Sequence, residues 1–509
     1  MVVSAFVQST RALMAKFGVD APDIRISGLT LDSREVTTRL AFVAIKGHAL
    51  DGRDFIPQAI SLGAKVILAQ TEDPAQHGHL EMRGSSVIIS LFDLPEMVSS
   101  LAAAFYDYPA QKMSTIAVTG TNGKTSVVQL ATQLKSMLGT RSGAIGTLGY
   151  GLYEGRDTEY TPAPDGTTTP DPIRIQYILA EFVQLDAGQA AFEASSHAIV
   201  QGRINQVKTD IAVFTNLSRD HLDYHASMED YAQAKRQLLK QRGLHTIVLN
   251  AQDQESQNWK RFADSHIKII WTGVGEIDSQ ITSQSHCIAT NVRYHAQGSS
   301  FTLQSSWGSA DVSIPLLGTF NIYNSLSAVA ALLAQGERFE EIVQVMGKVH
   351  PVAGRMEIFS FAQAGNVVVD YAHTPDALEK VLTSAKQHAQ GIIWCVFGCG
   401  GDRDKGKRPL MGKVAELHAD RIVITTDNSR SEKPADIAQD IKQGLQKPEN
   451  AVFEADREKA IRFCLQNSKP GDLIVVAGKG HEDYQIIGDN RTDYNERAVI
   501  ARLQQEYST

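Results

Sequence analysis

The chain has 509 residues, of which 43% are hydrophobic and 21% charged, with a formal net charge of −8. That length exceeds one ordinary core and suits about three domains, and the composition excludes fibrous and disordered classes. The mild acidic excess argues against coating nucleic acid or an anionic membrane, although local basic pockets remain compatible with it.

Met1 to Gly18 lacks the apolar core and small-residue cleavage site of a secretion signal, and reads as the first helix of a cytoplasmic protein. No apolar run approaches the ~18 residues of a membrane span. Short β-branched runs follow in alternation with helix-like stretches: Lys65-Val-Ile-Leu, Thr115-Ile-Ala-Val, Ile211-Ala-Val-Phe, Thr246-Ile-Val-Leu, Val367-Val-Val, Arg421-Ile-Val-Ile and Leu473-Ile-Val-Val. That rhythm predicts an α/β protein with largely parallel sheets. Tyr108-Pro109 and His350-Pro351 interrupt it, and X-Pro disfavours helix at the preceding residue. The expected domains are therefore 1–110, 111–347 and 348–509. The Ser-rich stretch 275–313 predicts a β-hairpin appended to the middle domain. Cys287, Cys395, Cys399 and Cys464 form no Cys-x-x-Cys pair and no zinc spacing, which predicts free thiols in a reducing compartment.

The strongest local signal is Thr119-Gly120-Thr121-Asn122-Gly123-Lys124-Thr125-Ser126, between an apolar strand and a helix. Backbone N–H groups at such a junction point at an anion, and the helix dipole favours negative charge there. Glycines admit the phosphates, Lys124 reaches the terminal ones, and the Thr125 hydroxyl can hold magnesium. Val118 stands where the general phosphate-loop pattern has its first glycine.

Glu193, in Phe192-Glu193-Ala194-Ser195-Ser196-His197, leaves a small-residue strand; a carboxylate there is either a surface acid or a hard ligand for magnesium. Asn216-Leu-Ser-Arg-Asp220-His221-Leu-Asp223 follows the Ile211 strand, at the end where parallel sheets bind ligands. Ser227 opens a helix on which Tyr231, Lys235, Leu238 and Leu239 share a face. Pattern alone lets that lysine snorkel to water. In the last third, strand ends carry Gly398-Cys-Gly400-Gly401-Asp402-Arg403-Asp404-Lys405-Gly406-Lys407-Arg408, Thr426-Asp427-Asn428-Ser429-Arg430 and Ala477-Gly478-Lys479-Gly480-His481-Glu482. The first fails as a dinucleotide fingerprint because Arg403 occupies the third glycine's place. Its glycines and four cations suggest an anion cradle, and all three segments are expected to face one pocket.

The Thr119–Thr125 loop resembles the ATP loop of the Mur ligase family and its folylpolyglutamate synthetase relatives, and the later motifs extend the resemblance over the whole chain. It implies an N-terminal UDP-binding α/β domain, a central P-loop-type ATPase with a mostly parallel sheet and a C-terminal Rossmann-like domain. ATP would be held by Gly120, Thr121, Asn122, Gly123, Lys124, Thr125 and Ser126, with Asn324 on the adenine side and Arg355 and Asp370 from the third domain. Lys124, Glu193, His221 and Lys235 would be catalytic, and Thr125, Glu193, His221 and Lys235, the last as a carbamate, would hold Mg2+. A desolvated neutral amine can react with carbon dioxide to give that anion. Histidine is not what hard-cation chemistry alone selects, so the role of His221 rests on the resemblance.

Leu31, Ser33, His48, Ala49 and Leu50 resemble contacts to a uridine nucleotide, and Thr167, Thr168, Thr169, Ser195, Gln201 and Arg203 resemble contacts to a muramoyl dipeptide. As residues alone, these are polar loops. Arg403, Asp427, Asn428, Ser429, Arg430, Gly478 and Glu482 resemble the amino-acid site of members that add the third residue of the peptidoglycan stem. Members adding diaminopimelate carry Asp-Asn-Pro-Arg where this chain reads Asp427-Asn428-Ser429-Arg430. The resemblance thus implies ATP-dependent addition of meso-diaminopimelate to UDP-N-acetylmuramoyl-L-alanyl-D-glutamate through an acyl phosphate, by a cytoplasmic monomer with neither nucleic acid nor membrane as partner. L-Lysine as the added residue, a folylpolyglutamate synthetase-like ligase and a regulatory nucleotide-binding protein are the alternatives. The first hundred residues argue against the folate enzyme, which lacks a dedicated uridine-binding domain.

Overall fold

The structure is a computed structural model that describes residues 6–47, 50–155, 162–163, 166–220 and 224–507. The chain divides into two compact units, one holding Met1–Thr272 with Ser283–Ser285 and Ser327–Glu337, the other holding Gly273–Thr282, His286–Leu326 and Arg338–Thr509.

In the first unit, β1 (Gln8–Ser9) pairs with β2 (Arg25–Ile26). The expected first helix is shorter than the sequence suggests: it spans Thr10–Ala15, because Ser9 ends the strand and its Oγ caps the Ala12 amide. A five-stranded sheet follows, made of β3 (Gly28–Thr30), β4 (Leu40–Ala44), β5 (Val66–Thr71), β6 (Leu80–Arg83) and β7 (Ser86–Phe92) in the order β3-β4-β5-β7-β6. Only the edge strand β6 runs antiparallel. Its inner strands are apolar on both faces, one packing on Leu94, Val98 and Leu101 and the other on Ile56 and Ala59, as a covered parallel sheet requires.

The unit's second sheet contains β8 (Ser114–Thr119), β9 (Ser142–Gly146), β10 (Gly149–Tyr153), β11 (Gln189–Glu193), β12 (Ile211–Phe214), β13 (Thr246–Asn250) and β14 (Lys268–Val274), ordered β10-β9-β11-β8-β12-β13-β14. All but β10 are parallel. Because β8 lies between β11 and β12, the chain leaves three adjacent strand ends at Gly120, Ala194 and Thr215.

The second unit opens with β15 (His286–His295), β16 (Gly298–Ser305) and β17 (Gly308–Ile314), an antiparallel meander. The expected hairpin is therefore one strand short: Trp307-Gly308 makes a second tight turn, held by the Ser305 hydroxyl. The last sheet contains β18 (Glu357–Phe359), β19 (Asn366–Asp370), β20 (Ile393–Phe397), β21 (Arg421–Ile424), β22 (Ala451–Phe453) and β23 (Leu473–Ala477), ordered β18-β19-β23-β20-β21-β22 and parallel except at β18. Apolar layers cover both faces. A small hairpin, β24 (Tyr484–Ile487) and β25 (Asn490–Asp493), follows. All four cysteines are buried and free. Among the described residues, no helix is long and apolar enough to cross a membrane.

Candidate active site

The glycine loop closes β8 as the sequence predicts. Gly120 and Gly123 both take positive φ, and the helix Lys124–Met137 starts directly after. A Cβ on Gly120 would stand 1.9 Å from Thr215 Oγ1, so the close approach of the loop to the end of β12 demands glycine there. Thr215 Oγ1 donates to the Asn122 carbonyl at 2.6 Å, and the Thr121 amide donates to the Asn216 carbonyl at 2.9 Å. Lys124 Nζ donates to the carbonyls of Gly120 and Thr121, both at 2.9 Å. Thr125 and Ser126 lie buried in the first helical turn.

Ser227 caps the helix Met228–Arg236 as expected, and Tyr231, Lys235, Leu238 and Leu239 are all buried. Lys235 does not snorkel: it is 1% exposed, its Nζ donates to the Gly120 carbonyl at 2.8 Å, and it stands 4.3 Å from the Tyr231 ring centroid. Burial, and then the neighbouring Lys124, hold its ammonium well below the usual lysine range.

Glu193 ends β11 and is buried; its carboxylate accepts from the Thr147 amide at 2.7 Å and the Thr147 hydroxyl at 3.2 Å. The Thr169 hydroxyl donates to the Glu193 carbonyl at 2.7 Å and accepts from the Ser195 amide at 3.1 Å, while the Ser195 hydroxyl caps the Ala198 amide. Arg203 donates to the Thr169 carbonyl at 2.8 Å and to Gln201 Oε1 at 2.6 Å. Thr168 Oγ1 and Thr147 Oγ1 are hydrogen-bonded at 3.2 Å, and Thr167 is exposed nearby in sequence. Five residues read as dipeptide contacts thus form one network around Glu193, four of them through its main-chain carbonyl and Thr168 through Thr147.

His221, His48 and Ala49 lie outside the described residues. Among the described residues, no three His, Cys, Asp or Glu side chains gather as a metal cluster. The remaining donors suit a hard cation: the Glu193 carboxylate and Thr125 hydroxyl offer oxygen, and Lys235 would offer it once carbamylated.

In the first sheet's loops, Asp32 and Asp51 each cap a 3-10 turn and pair with the arginine two residues on, at 2.5 Å to Arg34 and 2.6 Å to Arg53. Ser33 donates to Gln58 Oε1 at 2.9 Å, Leu31 is half-buried, and Leu50 is 69% exposed.

In the second unit, the three segments after β20, β21 and β23 leave neighbouring parallel strands, as expected. Arg430 has φ 49° and its Nη1 donates to the carbonyls of Gly401 at 2.9 Å and Asn428 at 3.3 Å. No acceptor among the described residues takes its Nε or Nη2. Lys479 is fully buried; its Nζ donates to Asn428 Oδ1 and Glu482 Oε2, both at 2.9 Å, and lies 3.6 Å from Asp427 Oδ1. Asn428 Nδ2 in turn donates to Glu482 Oε2 at 3.2 Å. Gly478 has φ 113°, and a Cβ there would meet Asp427 Oδ2 at 3.2 Å. Among the described residues the buried Ser429 hydroxyl has no hydrogen-bond partner, and Arg403 is exposed.

The anion cradle of four cations is corrected by the same geometry. Arg408 is buried and spent on Glu432 and Asp440, Lys405 pairs with Glu432, and Lys407 donates to the His373 carbonyl. Asp370 gives both carboxylate oxygens to the amides of Met356 and Ala372, and Arg355 lies over the Tyr371 ring. Asn324 is buried, with its amide donating to Asn321 Oδ1 at 3.0 Å.

The chain matches a Mur ligase catalytic domain over residues 25–106, a Mur ligase middle domain over 118–332 and a Mur ligase glutamate ligase domain over 354–480. It is similar to a solved UDP-N-acetylmuramoyl-L-alanyl-D-glutamate--2,6-diaminopimelate ligase at 32% identity, covering 100% of both chains with a TM-score of 0.69. The chain belongs to the Mur ligase family. Mur ligases are ATP-dependent enzymes that form amide bonds in peptidoglycan synthesis, and this chain is accordingly an ATP-dependent ligase. Two further structures share the fold: a Thermotoga maritima MurF ligase in complex with ADP (16% identity, 94% of this chain and 96% of that one, TM-score 0.61), and a Mycobacterium tuberculosis folylpolyglutamate synthase complexed with ADP and AMPPCP (18%, 75% and 92%, TM-score 0.58).

Sequence reasoning missed Thr147, which orients Glu193, and Lys479, which ties Asp427, Asn428 and Glu482 together. Lys479 sits inside a motif already singled out, and its place between two glycines after an apolar strand was the available signal.

Proposed function

We propose that this Mur ligase adds meso-diaminopimelate to the D-glutamate of UDP-N-acetylmuramoyl-L-alanyl-D-glutamate, as a cytoplasmic monomer. The observation that carries this reading is Arg430. A left-handed backbone and two carbonyl bonds through Nη1 hold its guanidinium, and Nε and Nη2 remain as a two-donor edge. A planar fork binds a carboxylate in a bidentate way that an ammonium cannot copy. Diaminopimelate differs from lysine by that one carboxylate.

By the family resemblance, residues Gly120 to Ser126 are assigned to the ATP phosphates, and Asn324, Arg355 and Asp370 are assigned to ATP as well. Leu31, Ser33 and residues 48–50 are assigned to the uridine nucleotide, and Thr167 to Thr169, Ser195, Gln201 and Arg203 to the muramoyl dipeptide. Asp427, Asn428, Gly478 and Glu482, with Arg403 and Ser429 beside them, are assigned to the amino acid. The side-chain carboxylate of the D-glutamate attacks the γ-phosphorus and ADP leaves. The amine nitrogen then attacks the acyl carbon, the C–O bond to phosphate breaks, and inorganic phosphate departs with the amine's proton released to solvent. Lys124 neutralises charge on the transferring phosphoryl group, and the rest of the site mainly positions. Mg2+, held by Thr125, Glu193, His221 and carbamylated Lys235, would neutralise phosphate charge.

The test is ligation of meso-diaminopimelate and L-lysine side by side, in wild type and Arg430→Ala. Wild type is expected to favour diaminopimelate by roughly 10⁴-fold, because lysine leaves the Nε and Nη2 edge of Arg430 without its carboxylate. Efficient lysine addition by wild type, or a preference surviving in Arg430→Ala, overturns the assignment.

A further inference from the structure

We propose that Lys479 is a positioning residue of the amino-acid pocket, one that never touches the substrate but fixes Asp427, Asn428 and Glu482 in the orientation that receives it. The inference rests on the amino-acid assignment made above and extends it to a residue that assignment does not include.

The argument starts from burial. Lys479 is 0% exposed, and a lysine is almost never fully buried unless its charge is answered. An ordinary ion pair would answer it with one carboxylate. Here Nζ meets three polar side chains, Asn428 Oδ1 at 2.9 Å, Glu482 Oε2 at 2.9 Å and Asp427 Oδ1 at 3.6 Å, and lies 5.1 Å from the Tyr484 ring centroid. These come from two different strand ends, and all three are assigned to the substrate.

The consequences are specific. Asn428 Oδ1 accepts from both Lys479 and the Ile486 amide at 3.0 Å, which forces Nδ2 toward Glu482 and excludes the flipped amide. Asp427 Oδ1 also accepts from the Asn428 amide at 2.7 Å. Lys479 and these neighbours therefore occupy Glu482 Oε2 and Asp427 Oδ1, leaving Glu482 Oε1 and Asp427 Oδ2 as acceptors for a substrate ammonium. Two carboxylates against one ammonium leave the cluster one negative charge, which suits the cationic end of an amino acid. Without Lys479 the carboxylates repel each other, and only the Ile486 amide is left to hold Asn428 Oδ1.

The experiment uses the full-length enzyme, with Lys479→Met and Lys479→Gln, followed by phosphate release with each of the three substrates varied in turn. The expected result is a rise in KM for the amino acid of about 10- to 100-fold, the scale of one charge-assisted hydrogen-bond network. The KM values for ATP and the UDP-linked substrate, and kcat, should stay near wild type. Parallel rises in all three KM values, or an unchanged KM for the amino acid, overturn the proposal. So does failure of both variants to fold in the cold, which would make Lys479 a purely structural group. Failure of the underlying reading has a different signature: wild type itself would release no phosphate with any diamino acid.

Discussion

Lys124 and Lys235 direct their ammonium groups at the same acceptor, the Gly120 carbonyl oxygen, at 2.9 and 2.8 Å. Two cations sharing one neutral oxygen repel, and the more buried one yields its proton more readily.

The first expectation follows from the burial of Lys235 and, after it, from that repulsion. Lys235 should take up carbon dioxide, so enzyme equilibrated with ¹³C-bicarbonate should show a carbamate resonance that Lys235→Met lacks. Methionine fills a similar volume without a buried charge, and the lost Gly120 bond is worth about 1 kcal/mol. Lys235→Met should therefore melt within a few degrees of wild type while ligation falls by at least about 100-fold. A fully active variant with no change in the spectrum refutes the carbamate.

Gly146 faces Glu193 so closely that an added Cβ would meet Oε1 at 2.2 Å. Gly146→Ala should push the carboxylate away from Thr147, lower stability by about 1–3 kcal/mol and raise the Mg2+ concentration for half-maximal activity roughly 10-fold or more. Titration of activity with Mg2+ at saturating ATP checks this; an unchanged requirement would remove Glu193 from the metal's surroundings.

Arg457 and Glu496 form a fully buried pair, and Arg457 also donates to the Ala477 carbonyl at 2.8 Å. Arg457→Met alone strands a buried carboxylate and should cost about 3–5 kcal/mol in urea unfolding. Adding Glu496→Leu should recover part of that, and not all, because the Ala477 carbonyl keeps no donor. A double variant no better than the single one would contradict this account.

His481 is held down at about 4 from its ordinary 6.5, by burial first and then by Arg355 and Arg497. Its folded pKa is below its unfolded one, so the unfolded chain binds more protons between the two. The stability it preserves is complete above pH 6.5 and is lost as pH falls from 6.5 toward 4. That loss should reach about 2–3 kcal/mol, and His481→Gln should flatten the stability curve over that range. Chemical denaturation of both proteins across the window measures it, and parallel curves would defeat the explanation.

Legibility varied with the range of the interaction. The phosphate loop was readable because strand, glycines, lysine and helix are contiguous, and the buried face holding Lys235 was readable from helical spacing. The meeting of residues 398–408, 426–430 and 478–482 followed from each leaving an apolar strand. What escaped depends on partners far along the chain. Arg408 looks like its neighbouring cations until Glu432 and Asp440 fold onto it, 24 and 32 residues away. Lys479 reads as a loop lysine until Asn428 arrives from 51 residues before it. No local periodicity encodes such pairings.

The loops after β20 and β21 behave as a single mechanical part. The Gly401 amide donates to the Asn428 carbonyl, Asp402 accepts from Ser431, and Arg408 grips Glu432. A Cβ on Gly401 would come within 1.8 Å of the Ser429 carbonyl oxygen, so the two backbones touch with nothing between them. On the proposed assignment, selectivity for the added amino acid is therefore not written in the four residues Asp427 to Arg430 alone. Transplanting that tetrapeptide alone would keep the seam's backbone contacts and its Ser431 and Glu432 bonds but would leave the β20 loop unchanged, so only an exchange of both loops together would carry a foreign preference across.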